Sequence, residues 1–392
     1  MNRHTKQHLR NTITMKRNYL IPIMFLMLAL SCTGKSGNVA NMTADTHAKD
    51  TTTHTVTMLF AGDLMQHGPQ IRAAKTANGY DYSDVFARVK PEISAADIAV
   101  ANFEVTLAGE PYSGYPQFSA PDDYLRASID AGFDVFTTAN NHCCDTRAKG
   151  LRRTIDMMDS LKAGHLGTYK SAKDREHQTP YIIEKNGIRI CLLSFTYGTN
   201  GIPVPSPFVV NLIDTVQIAR DVAKAKAAKA DVIIALPHWG IEYQQLPSKE
   251  QVALADWMLR HGIDHVIGGH PHVIQPFEQR EINGTKHLVA YSLGNYVSNQ
   301  SKPNTDGGAM VKIQLTKKGG KTQLTECGYM LHWVSRPVVS GHKNYRIYPV
   351  SYPDTDMNAQ EKSLRSRFIE LTHRLLDKHN KNVGEAKPTK KQ

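Results

Sequence analysis

From Val56 to about Pro276, short apolar runs alternate with stretches of helical periodicity. The runs are Val56-Thr-Met-Leu-Phe, Asp97-Ile-Ala-Val-Ala, Phe133-Asp-Val-Phe-Thr-Thr, Ile188 to Phe195, Val232-Ile-Ile-Ala-Leu and His265-Val-Ile. Between them, Asp122–Ala131, Leu151–Lys162, Asp214–Ala230 and Lys249–Arg260 read as helices. A chain that alternates in this way buries a sheet beneath helices, so the fold class is α/β. After about residue 276 strands follow without helices, among them Lys286–Ser292 and Ala309–Leu315, which predicts a second sheet layer in the same domain. Leu364, Phe368, Leu371 and Leu375 then mark a last helix over Asn358–Lys378.

The runs also place chemistry. Asp63 follows the first, Glu104 the second, Asn140-Asn141-His142 the third and His238 the Val232 run. His270 and His272 follow the His265 run, where Gly268-Gly269 and Pro271 stop the strand. Open α/β sheets bind ligands beyond the carboxyl ends of their strands. Taken singly, each residue has an ordinary role: Asp63 a helix cap, Glu104 a loop acid, the Asn pair a turn, His238 a core histidine. Their recurrence at successive strand ends predicts one site at a sheet edge. Two carboxylates, an amide and several imidazoles without a thiolate suit borderline divalent ions, Mn, Zn or Fe, better than Ca or Mg.

Residues 1–32 carry Arg3, Lys6, Arg10, Lys16 and Arg17, no acid, and an apolar run of about a dozen residues ending at Ser31-Cys32, too short to span a bilayer. This reads as a lipoprotein signal peptide with Cys32 as the lipidated residue. Residues 33–55, rich in Thr, Ala and Asp, read as a flexible tether. The net charge of +11 lies largely in the signal and in the lysine-rich tail after Lys378. No basic stripe with aromatic residues remains for nucleic acid. Cys143 and Cys144 are adjacent and poorly spaced for a mutual disulfide, Cys191 lies in an apolar run, and no disulfide framework is implied.

GDLM (Gly62–Met65), NFEVTLAG (Asn102–Gly109), TANNHCCD (Thr138–Asp145), PHWGIEY (Pro237–Tyr243), GGHPHVIQP (Gly268–Pro276) and SLGNYV (Ser292–Val297) resemble the CapA-type poly-γ-glutamate capsule synthesis proteins, the PGA-cap family. That family is related to calcineurin-like metallophosphoesterases. The resemblance covers roughly Val56–Tyr296 and implies a four-layer α/β/β/α sandwich; we assign that domain to residues 56–336, with a C-terminal extension, 337–392, carrying the last helix and the basic tail. It implies one or two divalent metal ions: Glu104 bridging, Asn141, His238 and His270 on one, Asp63 and His272 on the other. His142 would be the general acid, oriented by Asp145. The chain departs from the phosphoesterase pattern where Asp63-Leu64-Met65 replaces Asp-x-His, and His67 is an additional candidate ligand. It departs from the CapA pattern where Asp145-Thr146-Arg147 replaces Asp-aromatic-Gly. The expected function is that of a metal-dependent hydrolase on a poly-γ-glutamate-like polymer or an envelope phosphoester. The alternative is a non-catalytic accessory subunit that binds an anionic exopolymer or braces a membrane synthase. Expected partners are an anionic extracellular polymer or its precursor, the membrane through the lipid anchor, and capsule synthase subunits, at the cell envelope outside the cytoplasm. Spacing alone leaves phosphoester and amide or ester chemistry equally open.

Overall fold

The computed structural model describes residues 52–388, so the signal peptide, Cys32 and most of the tether lie outside the described residues. The strands that frame the site are, in chain order, β1 (Thr53–Leu64), β2 (Ile98–Phe103), β3 (Val135–Thr137), β4 (Gly164–Leu166), β5 (Tyr181–Lys185), β6 (Ile188–Thr196), β7 (Val232–His238), β8 (His265–Ile267), β9 (Phe277–Ile282), β10 (Thr285–Ala290), β11 (Asn295–Val297), β12 (Gly307–Lys318), β13 (Lys321–Ser335) and β14 (Arg346–Pro349). The principal helices are α1 (Asp122–Asp130), α2 (Arg147–Ser160), α3 (Thr215–Ala227), α4 (Lys249–Arg260) and α5 (Ala359–His379).

These strands form two sheets. The first runs β14-β13-β12-β1-β2-β3-β4, with β11 also paired to β1. The second runs β9-β10-β8-β7-β6-β5. Alternation along β1 shows why they stack. Val56, Met58 and Phe60 face one way and join Ile188, Ile190 and Leu192 of β6 and Val232, Ile234 and Leu236 of β7 in a central core. Leu59 and Ala61 face the other way, with Phe103, against Tyr124 and Leu125 of α1 and Met158 of α2. On the far side, Cys191, Leu193, Ile233 and Ala235 meet Ile218 and Val222 of α3 and Ala255 and Met258 of α4. Both sheets are thus apolar on both faces, as strands covered by layers on each side must be. The result is the four-layer α/β/β/α sandwich.

Two details differ from the sequence reading. The alternating strands do not share a sheet: β1 to β4 belong to the first, and β6, β7 and β8 to the second. The late strands, expected to build the second layer, divide between both. β9 and β10 extend the second sheet, whereas β11 to β14 extend the first, β12 pairing antiparallel with β1. Strands apolar on both faces carry no mark of which sheet they join, because that choice is made by non-local pairing. At the C-terminus, β14 pairs with β13, and Phe368 and Leu376 of α5 join the central core. Within 52–388 the cysteines 143, 144, 191 and 327 are free.

Burial gives this core a pH dependence. It pushes the His265 imidazole down to about 3, with His287 adding to the effect, and the His332 imidazole down to about 4. Both are neutral in the folded chain and ionise near 6.5 when unfolded. Their contribution is therefore fully present above about pH 6.5 and is lost as the pH falls toward the folded values. Urea unfolding in the presence of a chelator is expected to show a midpoint that drops between pH 7 and pH 4.5. His332→Phe is expected to lessen that slope by about 1 kcal/mol per pH unit, and an unchanged slope would show that His332 is not a source.

Candidate metal centre

The site lies where the carboxyl ends of the two sheets meet. β1 slips register around Asp63 against both β2 and β11, so its last residues leave the regular ladder. Gly62 is required there, since a Cβ would stand 2.0 Å from the Gly294 carbonyl. The Asp63 N–H donates to that carbonyl at 3.1 Å, and the Glu104 N–H donates to the Leu64 carbonyl at 3.1 Å. Asn102 and Glu104, two residues apart, share a face. From the opposite sheet, Gly268-Gly269 follow β8 directly, and a Cβ on Gly269 would stand 2.9 Å from Asp63 Oδ1. His270 and His272 follow with φ of 101° and 60°, a region that non-glycine residues rarely adopt.

The side chains converge without exposure. Asp63 and Glu104 are both fully buried. Asp63 Oδ2 lies 3.2 Å from His272 Nδ1, and Glu104 Oε1 lies 3.6 Å from His238 Nε2 and 3.9 Å from His272 Nε2. Asn141 Oδ1 is 2.7 Å from His238 Nε2. The donor atoms of Glu104, His238 and His270 fall within 4.8 Å of one another, as do those of Asp63, Glu104 and His272. Glu104 is thus common to two donor sets. Beside them, His142 Nδ1 bonds to Asp145 Oδ2 at 2.8 Å, and the same oxygen accepts the Phe118 N–H. His142 Nε2 makes no hydrogen bond among the described residues.

All six expected ligands are therefore brought together, and His142 is paired with Asp145. His67 stands apart. It caps a short helix, its Nδ1 sits 3.2 Å from Gln70 Oε1 and accepts the Asn299 N–H, and it enters none of the donor sets. Burial also pushes its imidazole down to about 4.

Electrostatics tests whether a cation fits. Burial first, then the charge of Asp63 and that of Glu242, pushes the Glu104 carboxyl well above its ordinary range. Burial and the neighbouring imidazoles hold His238 well below its ordinary value and push His270 down to about 3. Glu104 Oε1 and His270 Nδ1 are buried without a hydrogen-bond partner. Buried polar atoms of native proteins are nearly always satisfied. Two carboxylates, an amide and three imidazoles, with Glu104 Oε1 and His270 Nδ1 orphaned, form the donor set a divalent cation requires.

Four residues of the pocket were not singled out from the sequence. Asn102 donates through Nδ2 to Asp63 Oδ1 at 2.8 Å and Glu104 Oε2 at 3.3 Å, while its Oδ1 accepts from Thr137 and Asn140. Its place two residues before Glu104 was the available signal. Asn295 sets its Oδ1 3.1 Å from His272 Nδ1, and Glu242 groups with His270 and His272; both lie inside quoted motifs. Tyr197, whose ring centroid is 4.5 Å from that of His270, carried no signal.

Fold and pocket define a four-layer α/β/β/α sandwich with a buried carboxylate, amide and imidazole centre. The profile of the bacterial capsule synthesis protein PGA_cap matches residues 57–300. The chain belongs to that family. It is 30% identical over 324 residues to the capsule biosynthesis protein CapA of Bacillus anthracis, covering 78% of this chain and 74% of that protein. It is 29% identical over 316 residues to the PGA biosynthesis protein CapA of Bacillus subtilis strain 168, covering 78% of each. Among solved structures, the calcineurin-like phosphoesterase YfkN from Bacillus subtilis superposes with a TM-score of 0.44 at 19% identity, over 82% of this chain and 98% of that one. Among the described residues no helix is long and apolar enough to cross a membrane.

The Asn102 amide holds the two carboxylates apart and in place. Asn102→Ala is expected to lower divalent metal affinity about 10- to 100-fold, the usual effect of removing a group that orients ligands. Calorimetric titration of the metal-stripped protein with Mn²⁺ checks this, and an unchanged affinity would remove Asn102 from the centre.

Proposed function

We propose that this chain is a lipid-anchored capsule synthesis protein, held outside the cytoplasm through Cys32, that hydrolyses a phosphoester or γ-glutamyl bond in an anionic envelope polymer of the poly-γ-glutamate kind or its precursor. The observation that carries the reading is Glu104, a buried carboxylate common to two donor sets with one oxygen unpartnered. Asn141, His238, His270 and Glu104 would hold one divalent ion, and Asp63, His272 and Glu104 a second, with Mn, Zn or Fe suited to the mixed donors. Bound there, the metal would supply positive charge against the negative charge that develops during attack by water.

The residues of the chain supply the rest. Asp145 accepts from His142 Nδ1, which fixes the orientation of the ring and leaves Nε2 facing the pocket. Nε2 is then the atom that donates a proton to the leaving oxygen or nitrogen as its bond to phosphorus or carbon breaks. The ring of Phe118 meets His142 edge-on at 4.6 Å and limits its rotation. Water adds its oxygen to the electrophile, and its proton passes to solvent.

A second reading, a non-catalytic subunit that binds polymer or braces a synthase, is favoured by Leu64 and Met65. Both are buried in the apolar layer beneath the first sheet, so neither of them replaces the histidine of the Asp-x-His pattern. Capsule synthase subunits are the partners this reading requires.

His142 separates the two. His142→Ala is expected to keep its metal and lose turnover by about 10²- to 10⁴-fold, the usual contribution of a positioned general acid, with a smaller loss on a substrate whose leaving group needs no proton. His238→Ala is expected to lose metal sharply by elemental analysis. A wild-type protein that binds metal and polymer but turns over neither phosphoester nor γ-glutamyl substrates would leave the accessory reading standing.

A further inference from the structure

Glu242 lies in the exposed turn after β7, yet its carboxylate, His270 and His272 bring donor atoms within 4.8 Å of one another. His270 belongs to the Glu104–His238 set and His272 to the Asp63–Glu104 set. Glu242 therefore reaches an imidazole of each inner set from the open side, whereas Glu104 touches both from the buried side. The approach is built into the backbone. The Tyr243 N–H donates to the Pro271 carbonyl at 2.8 Å, the Trp239 N–H to the Gly269 carbonyl at 3.1 Å, and the Gly269 N–H to the Pro237 carbonyl at 3.0 Å, across the same two loops. Three non-glycine residues of this junction, Tyr243, His270 and His272, hold positive φ. Conformations of that kind cost about 1–3 kcal/mol each and persist where the surroundings impose them. The His270 Nδ1 is buried without a hydrogen-bond partner.

We infer that Glu242 is a further metal ligand, closing the centre from its solvent side opposite Glu104. This rests on the metal-centre reading above. The donor count supports it. The Asn141, Glu104, His238 and His270 position has four donors, but the Asp63, Glu104 and His272 position has three, with Leu64 and Met65 turned into the core. A borderline divalent ion takes four or more. A carboxylate on the open face supplies the missing donor and also occupies the place an oxyanion would take, so an anionic substrate must displace it.

The test uses the full mature chain, stripped with chelator and titrated with Co²⁺, whose visible absorption reports coordination. Glu242→Ala is expected to weaken Co²⁺ binding at least about 10-fold and to alter the spectrum of the fully loaded protein, with Glu242→Asp restoring part of both. Because Glu242 is exposed, the urea midpoint of the metal-free variants should match wild type. Glu242→Ala with wild-type affinity and spectrum would overturn the assignment while leaving the inner sets intact. A wild-type chain that binds no Co²⁺ would overturn both this assignment and the metal-centre reading.

Discussion

The approach of two buried carboxylates, Asp63 and Glu104, is the constraint on which the rest of this structure turns. Two like charges removed from water repel, and each loses hydration worth several kcal/mol. One amide group offsets part of that cost: the Asn102 NH₂ donates to both carboxylates, and its carbonyl is held by Thr137 and Asn140. Asn140 in turn donates to the Phe103 carbonyl and accepts the His142 N–H. The hydrogen-bond chain therefore runs from the carboxylates to the His142–Asp145 pair without a break. The glycines at 62 and 269 have the same purpose, since each lets a backbone come within contact distance of the Asp63 region.

The division of labour between sheets follows from the charges. The first sheet supplies the carboxylates and the amides, and the second supplies the imidazoles. A single sheet would place its strand ends side by side, with neighbouring strands about 4.8 Å apart, and donors on one edge would point along parallel lines. Two sheets packed face to face let the donors converge from opposite walls. β11 then locks the join: it pairs parallel with β1, and its Asn295 holds His272 Nδ1 while donating to Gln300 and the Thr305 carbonyl. β12 covers the edge of β1 that would otherwise lie open, and β13 and β14 continue the cover.

The helices α1, α3, α4 and α5 begin and end within a residue or three of where periodicity put them, because their apolar stripes face a core that any sheet would offer. α2 starts at Arg147, four residues before the expected Leu151, since the polar first turn carries no stripe. Sheet membership was not legible. Ile188–Thr196 and Ile98–Phe103 read alike in sequence, and only long-range pairing sends them to different layers. Within the site, residues with a characteristic metal-binding side chain stood out, whereas Asn102 and Asn295 did not, since an amide that orients a neighbour looks like any turn residue. Glu242 was hidden for another reason. It occupies an exposed turn, where an acid is ordinary, and its relation to His270 and His272 is created by the backbone bond between Tyr243 and Pro271.

The inequality of the two donor sets has a chemical consequence. One set is built from a carboxylate, an amide and two imidazoles, and its His238 is fixed between two amides, Asn102 at 3.2 Å from Nδ1 and Asn141 at 2.7 Å from Nε2. The other draws on two carboxylates and the single imidazole of His272. More anionic oxygen and less nitrogen moves a site toward harder ions and weaker binding of softer ones. Two positions with such different donors would not load alike, and the second would depend on whatever ligand the open face presents. A centre of this kind can keep one ion as a permanent part of the fold and hold the other conditionally, so that occupancy responds to the anion that enters the pocket.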